Sequence, residues 1–169
     1  MRKMLSACAV ALLLLFPAQA ATPENTFPAW LVTVVRVSDG DSLIVVDSGQ
    51  QKSRIRVYGI DCPEINQAGG KDAREYLADI LLNAAVAIET VERDRYGRTV
   101  AFVYKGGRAV EELLLEKGLA WVYDKYCLLP VCDRYREIEH TSRELKIGLW
   151  ASPDPVAPWE WRKRQRENR

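Results

Sequence analysis

Residues 31–47 read LVTVVRVSDGDSLIVVD, which places two apolar, β-branched runs on either side of a short polar turn. Val, Ile and Thr favour extended backbone, because their branched side chains pack well on a pleated sheet. The polar residues between the runs include an Asp-Gly pair, which is typical of tight turns between antiparallel strands. The stretch therefore predicts a β-hairpin.

Three further strands are predicted after this hairpin. Residues 54–60 follow a second turn, so the first three strands predict an antiparallel meander. Residues 86–91 and 99–104 are also rich in β-branched and aromatic side chains, and the charged segment 92–98 connects them.

Helical spacing of apolar residues appears in three other segments, which are residues 71–82, 110–118 and 133–147. Strands and helices do not alternate regularly, which argues against a doubly wound parallel sheet. The sequence therefore predicts an α+β fold with a mainly β core, a five-stranded OB-fold barrel with about three packed helices. We place this single domain at residues 30–152.

The N-terminus has the three parts of a secretory signal peptide, which we assign to residues 1–20. Its apolar run, from Leu5 to Phe16, is too short to span a bilayer. Residues 21–29 are small and polar and are predicted to be a linker. We therefore expect an exported protein, periplasmic or extracellular, whose mature form does not contact a membrane.

The charge of the chain is nearly balanced. Removal of residues 1–20, which contain Arg2, Lys3 and no acid, changes the formal net charge from +1 to −1. Overall charge thus does not predict a polyanionic partner. Residues 162–169, however, contain five basic residues and one acid. We interpret residues 153–169 as a basic C-terminal tail, which either holds nucleic acid electrostatically or is a solvated terminus.

Three cysteines lie beyond the signal segment. Export implies an oxidising compartment, so Cys127 and Cys132 are predicted to form a disulfide that closes a short loop. A zinc site is the alternative, but the spacing is not a two-residue knuckle and His140 is the one histidine. Cys62 is either a reactive thiol or a small packed residue.

Residues 56–64 read RVYGIDCPE, so the third strand ends with an arginine and two carboxylates around a proline. Proline removes a ladder donor and fixes its own backbone, which stops the strand near Asp61. The carboxylates then lie at a rim. Carboxylates beside an arginine suit a hard cation, an anionic substrate and general-base chemistry.

Three charged segments together resemble the thermonuclease family, also called micrococcal or staphylococcal-nuclease-like. They are DGDS at residues 39–42, residues 56–64, and DRYGR at residues 94–98. Each segment alone is weak evidence, because such residues also suit turns and solvated hairpins. The likeness continues to Trp150. It implies the same five-stranded barrel and a calcium-dependent hydrolase that cleaves phosphodiester bonds in DNA and RNA to leave 3′-phosphates.

The resemblance also implies a Ca²⁺ site. Its ligands would be the side chains of Asp41 and Asp61 and the backbone carbonyl of Cys62. Calcium accepts carboxylate and carbonyl oxygens in a loose shell, and no thiolate or imidazole cluster in the sequence favours a softer metal. The family often has threonine where this chain has Cys62, an exchange that a main-chain ligand tolerates.

The implied catalytic residues are Arg56, Glu64 and Arg98. Glu64 would be the general base that takes a proton from the attacking water. Each arginine would contact two phosphate oxygens at once, which a lysine cannot do. Arg95 and Tyr96 would line the path of the nucleotide, because an aromatic face stacks on any base. Packing of Tyr96 within its own hairpin is the alternative.

The expected substrate is single-stranded or locally melted DNA and RNA, bound by a monomer. Either Tyr123 or Tyr126 is expected to contribute to base stacking. The alternative function is a non-catalytic module that binds nucleic acid or peptide on the same barrel. Such a module would be expected to lack a metal carboxylate, the base or an arginine, whereas all five positions are present here.

Overall fold

The computed structural model describes residues 29–168. The predicted signal peptide lies outside the described residues, as does the predicted linker except for Ala29. The described part contains these strands: β1 (Ala29–Val37), β2 (Ser42–Val46), β3 (Lys52–Val57), β4 (Ile60–Asp61), β5 (Ala85–Arg93), β6 (Thr99–Lys105), β7 (Arg108–Ala109) and β8 (Trp121–Val122).

Five of these strands form a closed barrel. β1, β2 and β3 are a meander of antiparallel neighbours, and β5 pairs antiparallel with both β1 and β6. A parallel pairing between β3 and β6, with Arg56 opposite Val100, closes the circle. The predicted five-stranded barrel is therefore confirmed.

Alternate side chains along the strands point inward and fill the barrel. In β2, Leu43 and Val45 are buried while the residues between and beside them are half-buried. Val86 and Ile88 alternate inward in the same way from β5. Burial of each such side chain contributes about 1.5–3 kcal/mol, so the β-branched runs both favour strands and supply the core.

Four α-helices pack around the barrel in the described part of the chain. They are α1 (Gly70–Leu81), α2 (Val110–Glu116), α3 (Val131–Glu144) and α4 (Pro158–Glu167), with a short 3-10 helix at Gly148–Ala151 between the last two. The first three confirm the helices predicted from apolar spacing. In α1, for example, Ala73, Leu77 and Leu81 are buried one turn apart.

The fourth helix corrects the prediction that residues 153–169 are a basic tail, either solvated or bound to nucleic acid. Residues 158–167 are helical and docked. Pro158 lies in the first turn, where a proline sacrifices no intrahelical hydrogen bond. Trp159 packs edge-on against Trp121 and flat against Tyr123. The polar run that follows Trp161 has no apolar period, so the sequence pattern alone does not reveal the helix.

None of the helices between residues 29 and 168 combines the length and the apolar character that crossing a bilayer requires.

One acidic side chain is buried in the core. Glu111, in the first turn of α2, is 0% exposed. Its Oε1 accepts a hydrogen bond from the backbone N–H of Val103 at 3.3 Å. Among the described residues, its Oε2 has no hydrogen-bond partner. Burial raises the pKa of Glu111 from 4.5 to about 8, with a smaller effect of Glu112 and Glu89 in the same direction.

The raised pKa of Glu111 makes the free energy of unfolding depend on pH. Below a pH of about 4.5 the group is protonated in both states, and between about 4.5 and 8 the unfolded chain ionises while the folded protein stays protonated. The free energy of unfolding should thus fall by about 4 kcal/mol across that window because of Glu111. We expect Glu111→Gln to flatten this fall in urea denaturation at pH 4.5, 6 and 8.

The matched control is Glu116→Gln. Glu116 is an exposed carboxylate on the same helix, and it pairs with Arg108. The control should keep the pH slope of the parent protein. If the free energy of unfolding changes equally with pH in the parent protein and in Glu111→Gln, Glu111 is not the cause of the fall.

Candidate active site

One cleft at the end of the barrel contains residues from all three charged segments. Its volume is about 780 Å³, within the range of substrate pockets. Residues from the β1–β2 turn, from the segment after β3 and from the β5–β6 hairpin line it. Further lining residues come from the chain after β8 and from α4, namely Tyr123, Lys125, Tyr126, Arg162 and Arg166.

The centre of the cleft is an ion-pair network around Arg56. Its Nη2 donates to Asp61 Oδ1 at 2.8 Å and to the carbonyl of Ile60 at 3.0 Å. Its Nη1 contacts Asp41 Oδ2. Ser42 lies opposite Arg56 in the β2–β3 register, so strand pairing places the preceding Asp41 beside the guanidinium. The barrel itself thus assembles the two carboxylates around one cation.

The carboxylates in this network are almost completely withdrawn from water. Asp41 is 6% exposed and Asp61 is 1% exposed. Burial raises the pKa of Asp61, although the hydrogen bond from Arg162 and the charge of Arg56 oppose the shift. Burial and then repulsion from Asp41 raise the pKa of Asp39 to about 7. Asp39 and Asp61 therefore favour nearby positive charge or a proton.

Cys62 connects the two aspartate segments. Its backbone N–H donates to Asp41 Oδ2 at 2.8 Å, and its thiol donates to the carbonyl of Gly40 at 3.2 Å. Burial raises the pKa of the thiol well above its ordinary value. A buried, protonated thiol is a poor nucleophile. The structure therefore favours the packed residue over the reactive thiol.

Glu64 lies at the mouth of the cleft, two residues beyond Cys62. Its Oε1 accepts a hydrogen bond from Nη1 of Arg162 at 2.9 Å. The same arginine donates from Nη2 to Asp61 Oδ2 at 2.7 Å. A guanidinium from α4 thus bridges the predicted base and a predicted metal ligand. The pKa of Arg162 is raised, because its pairs with Asp61 and Glu64 outweigh partial burial.

Arg98 and its neighbours form another part of the cleft lining. Asp94 Oδ1 accepts the backbone N–H groups of Tyr96 and Arg98, both at 2.9 Å, and Asp94 Oδ2 accepts Nε of Arg98 at 2.7 Å. This turn holds Arg98 in a fixed orientation in the cleft wall. Tyr96 is 59% exposed, and the guanidinium of Arg95 lies 4.8 Å from its ring centroid. The guanidinium of Arg98 lies 5.7 Å from the same ring. Tyr96 is therefore exposed and also packs on two arginines of its own hairpin.

The chain after β8 supplies further aromatic groups. Tyr123 and Tyr126 both line the cleft, with ring centroids 4.9 Å apart. Tyr123 also stacks on Trp159 of α4 at 4.9 Å with an interplanar angle of 8°. Tyr126 is 50% exposed, whereas Tyr123 is half-buried. Cys127 and Cys132 are joined by a disulfide directly after these tyrosines.

The donor set of the cleft suits a hard cation. The available groups are carboxylate and backbone oxygens, and the one thiol beside them is protonated and bonded to a carbonyl. Between residues 29 and 168, no group of three or more His, Cys, Asp or Glu side chains has the arrangement of a metal centre. A cation here would thus need the Asp41 and Asp61 pair together with carbonyl and water oxygens, as calcium accepts.

Two groups of cleft residues are absent from the sequence predictions. Asp39 accepts the backbone N–H of Asp41 at 3.1 Å and shapes the turn. Arg162 and Arg166 come from the segment interpreted as a tail. The clustered arginines after Trp159 and Trp161 are a signal for the second group, because two tryptophans can anchor a terminal helix.

Gly40 allows the first turn to reach the centre of the site. Its backbone lies outside the left-handed region, so turn conformation does not require glycine here. A Cβ at this position would lie 2.6 Å from Cβ of Cys62 and 2.8 Å from Cβ of Ala73. Close approach of the turn to β4 and α1 is therefore the constraint.

We expect Gly40→Ala to lower the free energy of unfolding by about 1–3 kcal/mol through overpacking. Gly49→Ala in the next turn is the control, because its added Cβ would meet only Oδ1 of Asp47, at 3.3 Å. The control should change stability by less than about 1 kcal/mol. Urea denaturation of both variants measures the difference, and equal effects would contradict the packing constraint.

Comparisons with known proteins identify relatives of this chain. The profile of the family described as Staphylococcal nuclease homologue matches residues 54–152. An uncharacterized endonuclease of Escherichia coli O157:H7 is 38% identical over 133 residues, which cover 78% of this chain and 84% of that protein. Micrococcal nuclease of Shigella flexneri is 36% identical over 148 residues, covering 80% and 84%.

Plant relatives are longer. Staphylococcal-like nuclease CAN1 of Arabidopsis thaliana is 40% identical over 119 residues, which are 69% of this chain and 35% of that protein. An uncharacterized 38.1 kDa protein of Capnoides sempervirens is 40% identical over 119 residues, 70% of this chain and 34% of its own. The chain thus spans about a third of these plant proteins and most of the bacterial ones. It belongs to the staphylococcal nuclease homologue family.

Proposed function

We propose that the protein is a secreted, calcium-dependent nuclease that hydrolyses phosphodiester bonds of DNA and RNA and leaves 3′-phosphates. Family membership supports a nuclease activity on nucleic acid. The observation that carries the proposal is the single cleft in which Asp41, Asp61 and Glu64 meet Arg56 and Arg98. Neither the carboxylates nor the arginines alone require this reaction, but their combination matches the needs of phosphodiester hydrolysis.

Glu64 is the general base of the proposed reaction. It takes a proton from a water as the water oxygen bonds to phosphorus, and the bond from phosphorus to the 5′ oxygen breaks. The leaving oxygen then gains a proton from solvent. Glu64 suits this role because it is the least buried carboxylate of the central cluster, so water can reach it.

Arg56 and Arg98 contact the phosphate from two sides of the cleft. Negative charge grows on the non-bridging oxygens in the transition state, and fixed guanidinium groups stabilise it with little reorganisation. Both guanidinium groups are held in place before substrate binds. Arg56 is fixed by Asp41 and Asp61, and Arg98 is fixed by Asp94. Calcium held by Asp41, Asp61 and the Cys62 carbonyl would supply further positive charge beside the phosphate.

The exposed aromatic groups support a single-stranded or locally melted substrate. Tyr96 and Tyr126 are half-exposed or more and line the same cleft, with Arg95 and Lys125 beside them. Aromatic faces stack on unpaired bases without reading their sequence. We expect a monomer to bind such strands, because every residue that the proposed chemistry uses comes from one chain.

The N-terminal segment and the disulfide support export of the protein to the periplasm or the medium. Residues 1–20 have the charged, apolar and small-residue parts of a secretory signal. The Cys127–Cys132 disulfide is typical of oxidising compartments.

The proposal predicts that Glu64→Gln lowers the rate of single-stranded DNA cleavage by a factor of about 100 to 10,000, because the amide cannot accept the proton. Cleavage by the parent protein should require Ca²⁺ and stop with a chelator. Fragments should end in 3′-phosphates, which mass spectrometry detects.

The control is Glu92→Gln, which changes another acid that lines the cleft but has no role in the proposed chemistry. This variant should retain most of the activity. Full activity of Glu64→Gln, or equal cleavage with Ca²⁺ and with chelator, would contradict the mechanism. Binding of DNA without any cleavage by the parent protein would instead favour the non-catalytic module.

A further inference from the structure

The C-terminal helix α4 is docked directly over the candidate active site. Trp159 in its first turn stacks flat on Tyr123 and meets the edge of Trp121 at 5.7 Å between ring centroids. The segment before the helix is tethered as well, since Nε2 of Gln67 donates to the carbonyl of Val156 at 2.7 Å. The same Gln67 accepts the backbone N–H of Glu64 through Oε1 at 3.2 Å.

Strand pairing explains why this docking aims an arginine at the acids. In the short β4–β8 ladder, Asp61 lies opposite Trp121. Trp159 packs on Trp121, and Arg162 follows three residues later on the same face of α4. The helix therefore directs the side chain of Arg162 towards Asp61.

The contacts of Arg162 occupy the carboxylate of Asp61 almost fully. Asp61 Oδ2 accepts Nη2 of Arg162 at 2.7 Å, and Asp61 Oδ1 accepts Nη1 at 3.3 Å together with Nη2 of Arg56 at 2.8 Å. The second partner of Arg162 Nη1 is Glu64 Oε1. One guanidinium thus engages both the proposed metal ligand and the proposed base.

A calcium ion on Asp61 and Arg162 in this position exclude each other. Calcium binds oxygen at about 2.3–2.6 Å, so an ion on Oδ2 would lie at most about 5 Å from Nη2 and be repelled. The two cations also need the same oxygens. Arg162 is the arginine that can leave, because its side chain is 31% exposed, against 13% for Arg56. Arg56 is further held by Asp41 and the Ile60 carbonyl.

We propose that Arg162 is an internal competitor of the cation: it occupies the Asp61 carboxylate until calcium displaces it, and its departure releases Glu64 for catalysis. This inference rests on the proposed function, because it concerns the same cation and the same base. It adds a residue that sets how much calcium the site requires. Arg162 also couples Ca²⁺ binding to the general base, because Glu64 is freed only when the cation binds.

Isothermal titration calorimetry of Ca²⁺ into the purified full-length protein tests the competition without using activity. We expect Arg162→Gln to bind Ca²⁺ about tenfold more tightly than the parent protein, which is the worth of one modest charge-assisted interaction. The control is Arg164→Gln, which removes the same charge from the same helix at an exposed position. Its affinity should stay within about twofold of the parent.

Arg162→Lys provides a second variant if the glutamine substitution impairs folding. Lysine keeps the charge but cannot bridge Asp61 and Glu64 with two nitrogen atoms. The Ca²⁺ affinity of Arg162→Lys should therefore lie between those of the parent protein and Arg162→Gln. Circular dichroism confirms that each variant is folded before titration.

Equal or weaker Ca²⁺ binding by folded Arg162 variants would overturn the competition while leaving calcium-dependent cleavage intact. An equal gain in Arg164→Gln would also overturn it, because general charge would then explain the result. No Ca²⁺ binding by any of the proteins would overturn the inference together with the calcium requirement. If the parent protein cleaves DNA only with Ca²⁺, the calcium requirement stands and the competition alone has failed.

Discussion

Two buried carboxylates, those of Asp41 and Asp61, share the guanidinium of Arg56 at one end of the barrel. Two negative charges in a poorly hydrated site repel each other unless a cation lies between them. The protein meets this requirement with arginines, and it places the second of them, Arg162, at the edge of the cluster. The two arginines thus neutralise the carboxylates from within the protein itself.

The barrel makes this arrangement possible because its strands bring distant segments together. Pairing of β2 with β3 sets the first turn beside Arg56, and the parallel pairing of β3 with β6 brings the Arg98 hairpin to the same end. The β4–β8 ladder then carries the tryptophan on which α4 rests. The side chains of Asp41, Arg56 and Asp61 thus lie at or beside strand ends whose positions the core fixes.

Much of this architecture can be predicted from the sequence. The β-branched runs give the five barrel strands, and the apolar spacing of residues such as Leu77 and Leu81 gives α1. The motifs around Asp41, Asp61 and Arg98 line one cleft, and their joint resemblance to a known family predicts that they share a site. These signals are local, so a reader of the sequence can find them without knowing the packing.

Other features depend on contacts between distant residues, and local sequence patterns do not reveal those contacts. Arg162 lies 98 residues from Glu64 along the chain, and the docking of α4 brings them together. β4 and β8 have two residues each, too few for any periodicity. The need for Gly40 also appears only in three dimensions, where Cys62 and Ala73 leave no room for a Cβ.

A crystal structure of the protein grown with Ca²⁺, with the ion located by its anomalous scattering, shows whether calcium and Arg162 compete for Asp61. We expect an ion about 2.3–2.6 Å from carboxylate oxygens of both Asp41 and Asp61, with the guanidinium of Arg162 withdrawn from Asp61. An ion bound elsewhere, or an ion at this site with the Arg162 pairs intact, would contradict it.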